Sequence, residues 1–249
     1  MNVLVVGAGE MGRWFGETVK ADVAFADADP AVATAAAEAV GGRAVELSTD
    51  ERFEAVCLAV PISAAESAIT DHADRAASAM LDVTGAMARP VAAMADHAPD
   101  RERVSLHPLF GAANAPGNVA VVADAPGPAT DAILDDLRAA GNDLVETTAA
   151  EHDEAMSTVQ SSAHAAILSF ALAADEVPEG LTTPVFEALA DVVGQVAGND
   201  PDVYAEIQST FEGADDVADA ARRLADADAE AFADLYREAS ANATPEGDE

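Results

Sequence analysis

Residues 3–12 read Val-Leu-Val-Val-Gly-Ala-Gly-Glu-Met-Gly, an uninterrupted apolar run that breaks into a G-x-G-x-x-G spacing. No other feature constrains the fold as much. Val3 to Val6 carries no polar residue, as a strand buried on both faces requires. Gly7 permits a tight turn, and Gly9 lets a pyrophosphate approach the backbone. Gly12 lets the next helix pack close to the strand. That helix opens with its unpaired N–H groups facing the phosphates. Glu10 and Met11 fill the variable positions. The motif by itself is common. Its setting between a strand and a helix, followed by a second strand at Val23 to Ala26, makes it specific for a bound dinucleotide.

Asp27 directly follows that second strand. A carboxylate there can accept both ribose hydroxyls of NAD and repel the 2′-phosphate of NADP. NAD is therefore the expected cofactor. Asp29 competes for the role, but it also precedes Pro30 as a helix cap would. Val60 and Pro61 end a later strand at the carboxyl edge of the sheet, where they are expected beside the nicotinamide.

The first half of the chain alternates short apolar strands with helical stretches. Val56 to Val60, Met80 to Val83, Val104 to Leu106 and Val119 to Val122 continue the series. This pattern implies a doubly wound parallel sheet of the Rossmann kind over residues 1–147. Thr148-Ala-Ala-Glu151 matches a capping box, and from there to residue 241 the pattern is helical throughout. An all-helical second domain is expected over 148–241, with a mobile acidic tail over 242–249.

Charge sets the limits on partners. The formal net charge is -34, from 46 acidic and 12 basic residues, and Lys20 is the one lysine. Such a surface repels phosphate backbones, which excludes nucleic acid as a partner. So large an acidic excess implies adaptation to high salt. The one cysteine, Cys57, lies in an apolar run and reads as strand core. No apolar run reaches membrane-spanning length, and Met1 leads straight into a strand. A soluble cytoplasmic protein without a membrane partner is expected, and no metal cluster is apparent.

Ser105-Leu-His-Pro-Leu-Phe-Gly111 places His107 on a turn stiffened by Pro108 and Gly111. Imidazole titrates near neutrality, so His107 can take a hydroxyl proton while hydride leaves the same carbon. Downstream, Glu151-His-Asp-Glu-Ala-Met156 begins a long helix that continues through Gln160 and His164. Met156, Gln160 and His164 fall at i, i+4, i+8 and would share one helical face. A polar Gln and His on an apolar helix need partners or a ligand.

With these segments in this order, the chain resembles the prephenate dehydrogenases. The resemblance covers nearly the whole sequence. It rests on the glycine motif with Met11, Leu106-His-Pro-Leu-Phe-Gly111, Glu151-His-Asp-x-x-Met156 with Gln160 and His164, Thr183-Pro184, and Asn199-Asp-Pro-Asp-Val-Tyr-Ala-Glu-Ile207. It implies NAD-dependent oxidative decarboxylation of prephenate, with His107 as proton acceptor, and a helical domain that makes a homodimer. It implies substrate contacts from Thr84, His152, Gln160, His164 and Tyr204. Members often carry Asp-x-x-Ser-x-Lys where this chain reads Asp82-Val-Thr-Gly-Ala-Met87. Thr84 or Gly85 then stands at the serine and Met87 at the lysine. Arginines of some members align with Glu187 and Gln195. Arg89 is the nearest replacement cation for the substrate carboxylates. Arogenate is the alternative small-molecule substrate. A β-hydroxyacid dehydrogenase fits poorly, because that family uses a helix lysine. A non-catalytic dinucleotide sensor is the reading of a different class.

Overall fold

The computed structural model describes residues 1–178 and 180–242. The expected mobility of the acidic tail concerns residues that lie, after 242, outside this range. The chain packs as two compact units, Met1–Ala155 and the residues from Met156 onward.

In the first unit, β1 (Asn2–Val6) leads through the glycine motif into α1 (Glu10–Thr18). β2 (Asp22–Ala26), α2 (Pro30–Val40) and β3 (Arg43–Ala44) follow. Then come β4 (Phe53–Leu58), α3 (Ala65–His72), β5 (Ala76–Asp82), α4 (Ala88–His97) and β6 (Glu102–Pro108). β7 (Asn118–Ala125), α5 (Pro128–Ala139) and β8 (Asp143–Glu146) complete an eight-stranded sheet in the order β3-β2-β1-β4-β5-β6-β7-β8. The doubly wound α/β architecture is as the sequence implies. One pairing departs from the expected parallel sheet: β6 and β7 run antiparallel.

The apolar runs are continuous because both sheet faces are covered. Val3 and Val5 point into one cluster with Phe15, Phe25, Leu81, Val104, Leu106 and Ile133. Leu4 and Val6 point into the other, with Phe53, Val56, Leu58, Ile69, Met80 and Met94. Each fully buried side chain of this size contributes about 1.5–3 kcal/mol. Strand order reverses between β1 and β4, and that switch point is where an open α/β sheet forms its ligand crevice.

The unit ends with α6 (Ala149–Met156), whose first turn closes the expected capping box. Thr148 N–H donates to Glu151 Oε2 at 3.1 Å, and Glu151 N–H donates to Thr148 Oγ at 3.2 Å. The sheet unit extends past Thr148 because α6 carries His152 and Asp153 into it.

The second unit is helical. Ser157–Ser162 is π-helical and leads into α7 (Ala163–Ala173). α8 (Pro184–Ala197), α9 (Pro201–Thr210), α10 (Ala214–Asp226) and α11 (Ala229–Asn242) follow. The π turn bonds i to i+5. The 3.6-residue period assumed for Met156, Gln160 and His164 is therefore interrupted, and they do not form one α-helical face. Ser161 Oγ donates to the Phe211 carbonyl at 3.1 Å, and Ser162 Oγ to the Gly213 carbonyl at 3.2 Å. No helix among the described residues is long and apolar enough to cross a membrane.

Candidate active site

The glycine loop leaves space on one side only. Gly7 has φ +91°, and a Cβ there would lie 2.2 Å from the Ala59 carbonyl oxygen across the switch point. A Cβ on Gly12 would lie 2.0 Å from the Gly7 carbonyl oxygen. A Cβ on Gly9 would meet nothing within 4 Å. Gly9 is also the N-cap of α1, with no side chain capping the helix. Backbone packed tightly behind and open in front of a helix N-terminus fits a pyrophosphate.

Asp27 fastens this loop to the end of β2. Its Oδ2 accepts from Ala8 N–H at 2.7 Å, and its Oδ1 accepts from Asp29 N–H at 2.9 Å. Each carboxylate oxygen retains a further lone pair, so ribose hydroxyls can still be accepted. Asp29 caps α2 by accepting from Ala31 N–H at 2.9 Å. Glu10 is exposed, Met11 and Val60 are half-buried, and Pro61 is exposed.

β6 brings the second component alongside. The Phe110 ring packs edge-on against Trp14 of α1, with centroids 5.4 Å apart. A Cβ on Gly111 would lie 3.7 Å from Glu10 Oε1. The segment after His107 thus abuts the nucleotide-motif helix.

His107 is buried on β6 and ends a chain of three polar side chains. Its Nδ1 lies 2.8 Å from His152 Nε2. His152 Nδ1 lies 2.8 Å from Asp153 Oδ1. Asp153 also accepts Met87 N–H at 3.1 Å and Ala88 N–H at 3.0 Å, at the start of α4. Burial works against this carboxylate, but the His152 bond and the two N–H groups hold it below the usual range. Because Asp153 accepts, His152 carries its proton on Nδ1. When His152 is neutral, its Nε2 accepts from His107 Nδ1–H. That fixes the basic lone pair of His107 on Nε2. This is the orienting logic of an acid–histidine couple with a second imidazole as the working base. Burial, then the neighbouring His152, push His107 down to about 3, and Asp153 opposes them.

Gly85 gives Nε2 its space. It has φ +92°, and a Cβ there would sit 3.3 Å from that nitrogen. Beside it, Thr84 Oγ donates to Asp82 Oδ1 at 2.8 Å.

The remaining expected residues divide by location. His152 is buried behind His107, both ring nitrogens engaged within the protein. Met87, at the family's lysine position, is fully buried against Ala120 and Val122. Its contribution is a backbone N–H, not a charge. The Arg89 side chain is 81% exposed and lies 3.7 Å from Glu66. In the helical unit, the His164 ring packs edge-on against Tyr204 at 4.7 Å. Tyr204 Oη accepts from Asn199 Nδ2 at 2.9 Å. Gln160 is half-buried within the π turn. No group of three or more His, Cys, Asp or Glu among the described residues could hold a metal ion. Sequence reasoning passed over Asp153 and Asp82. The signal for Asp82 was a carboxylate closing an otherwise apolar strand.

Residues 16–124 match the family model described as prephenate dehydrogenase, nucleotide-binding domain. A 4-amino-4-deoxyprephenate dehydrogenase of Streptomyces pristinaespiralis is 28% identical over 232 residues, covering 85% of this chain and 78% of that protein. A probable arogenate/prephenate dehydrogenase of Methanocaldococcus jannaschii is 25% identical over 173 residues, covering 64% of this chain and 39% of that protein. Among solved structures, prephenate dehydrogenase from Aquifex aeolicus in complex with hydroxyphenyl propionate and NAD+ shares the fold. Its TM-score is 0.73 at 15% identity, covering 97% of this chain and 96% of that one.

Proposed function

The chain belongs to the prephenate/arogenate dehydrogenase family, and from that premise we propose that it oxidatively decarboxylates prephenate with NAD. The observation that carries the reading is His107, oriented by His152 and Asp153 next to the glycine-motif helix. Bound NAD would supply the hydride acceptor for C4 of the substrate. His107 Nε2 takes the proton from the C4 hydroxyl. The ring carboxylate leaves as carbon dioxide, and its bonding electrons aromatise the ring. The imidazole can then return its proton to the phenolate oxygen, giving 4-hydroxyphenylpyruvate with no net proton change. Gly7, Gly9, Glu10, Met11 and Gly12 would hold the pyrophosphate, Asp27 the ribose, and Val60 and Pro61 the nicotinamide end. Within the sheet unit Thr84 supplies a neutral polar group to the substrate and Arg89 a cation. His152 acts behind the base.

A second reading has a specific support. The Streptomyces relative's name assigns it a substrate with an amino group at C4. The same lone pair on His107 can take a proton from nitrogen. Arogenate, with an amino group on the side chain instead, is the third candidate. The helical unit pairs with a second copy, and the acidic surface suits high salt.

Absorbance of reduced nicotinamide decides among these. The assay supplies prephenate, arogenate or 4-amino-4-deoxyprephenate, with NAD or NADP, in dilute and molar salt. Turnover of prephenate with NAD is the expected result. Turnover of the 4-amino compound alone would make the second reading correct, and no turnover with any of the three would remove the assignment.

A further inference from the structure

One buried ionisable group has no part in the chemistry above. Asp82 ends β5 with no exposed surface. Its Oδ1 accepts from Thr84 Oγ at 2.8 Å and from Thr84 N–H at 3.2 Å. Its Oδ2 and Ser105 Oγ are both buried, and the Ser105 hydroxyl favours the ionised carboxyl. These two residues are register partners across β5 and β6. A carboxylate kept this deep is costly even with two hydroxyls beside it, so its retention asks for a role. Its orientation supplies one. Leu81 and Val104 point into the apolar cluster of α1 and α5. Side chains alternate along a strand, so Asp82, Ser105 and His107 share the opposite face. The charge of Asp82 also interacts with His152.

We propose that Asp82 is a positioning residue for the proton transfer: as a carboxylate it stabilises, through His152, the positive charge created when His107 takes the substrate proton. This rests on the reading of His107 as the base. Burial makes a charged imidazole couple costly, which is why His107 is pushed so far down. Asp153 offsets part of that cost from the α6 side, and Asp82 adds a second negative charge from the sheet side. Opposite charges act strongly in so dry a site. Thr84 anchors Oδ1, so the Asp82–Gly85 turn that shapes the space at His107 Nε2 also fixes the carboxylate.

The proposal makes activity depend on the charge of Asp82. The groups around it are Thr84 and Ser105, His152 on α6, and the Cys57 thiol on β4, which burial and Asp82 push up; His107 lies two residues beyond Ser105 on the same sheet face. Burial pushes Asp82 up to about 7; the Thr84 bonds, the nearby Ser105 hydroxyl and His152 act against it. The supporting carboxylate is present above that pH and lost below it. Its stability effect has the matching sign. A carboxyl whose folded pKa is raised favours folding fully below its unfolded pKa, and that contribution is lost as pH rises through about 7.

The test combines the pH profile of kcat/KM with ligand-free melting curves, for wild type, Asp82→Asn and Thr84→Ser. In wild type kcat/KM should fall roughly tenfold from about pH 8 to about pH 6, as one ionisation near neutrality requires. Asp82→Asn should be flat across this range, at the low-pH level of wild type. Thr84→Ser keeps the hydroxyl and should keep the acidic limb. The melting temperature of Asp82→Asn relative to wild type should rise from about pH 5 to about pH 8. Should Asp82→Asn not fold, Ser105→Ala removes a hydroxyl that favours the ionised form and should move the limb to higher pH. A limb near neutrality that survives in Asp82→Asn, or stays unmoved in Ser105→Ala, overturns the role while leaving His107 as base. Absence of turnover with all three substrates overturns the reading of the site and this role with it.

Discussion

The two units bury themselves to very different degrees. In Met1–Ala155 the strands β1, β2, β4 and β5 carry side chains with almost no exposed surface, and two apolar clusters sandwich the sheet. From Met156 onward, large apolar side chains stay open: Leu172 is 89% exposed, Val185 72% and Tyr236 66%. Ile207 and Phe211 are among the few large ones that are buried there. The reason is geometric. A sheet with helices on both faces covers its own apolar runs, whereas a layer of amphipathic helices covers one stripe each and needs a second layer. The sheet unit can hold a rigid base and a nucleotide loop by itself. The helical unit presents an apolar surface of the sort a second copy would cover.

The largest test of this contrast targets the base. His107→Asn should lower turnover by roughly a hundredfold or more, the scale of losing a general base. Nucleotide affinity, followed by fluorescence quenching, should stay near wild type. Normal turnover would mean that the sheet unit does not hold the chemistry.

The helical unit is tested next. Wild type should sediment as a dimer, and the double change Leu172→Glu with Val185→Glu should weaken it more than about tenfold, since each apolar side chain is worth about 1.5–3 kcal/mol when buried. Nucleotide binding should be unaffected. A wild-type monomer at micromolar concentration would break the comparison.

A smaller effect is expected at the ribose. Asp27→Ala should weaken NAD binding roughly tenfold, the worth of hydrogen bonds to a charged group, and narrow the preference over NADP. Equal use of both cofactors by wild type would reassign Asp27 to fastening the glycine loop.

Salt should separate the units least. At a net charge of -34, screening of surface carboxylates should raise the melting temperature by about 2–4 °C for each kcal/mol gained. A melting temperature flat from dilute to molar salt would show that the acidic surface carries no such adaptation.

Much of the sheet unit was legible because its signals are local. Val3 to Val6 and Gly7 to Gly12 declare strand, turn and helix within ten consecutive residues, and the expected strand Val23 to Ala26 falls within β2. β3 and β8 were missed for a physical reason. They are edge strands with exposed polar residues, so no apolar run marks them. The π turn was missed because i to i+5 bonding leaves no periodic signature in six residues.

The sequence by itself determined the doubly wound sheet, the nucleotide loop, the change to helices at the Thr148 capping box, and His107 as the candidate base. These follow from periodicity, glycine stereochemistry and residue type, all of which act over a few neighbouring positions. Tertiary structure alone decided the partners of that base. Residues 107 and 152 lie 45 positions apart, and Asp153 reaches the backbone of Met87 from 66 positions away. Which nitrogen of His107 is basic, and which carboxylate stands behind its partner His152, depends on strand register and helix docking. Those are set by the packing of the whole sheet, which no local stretch of sequence encodes.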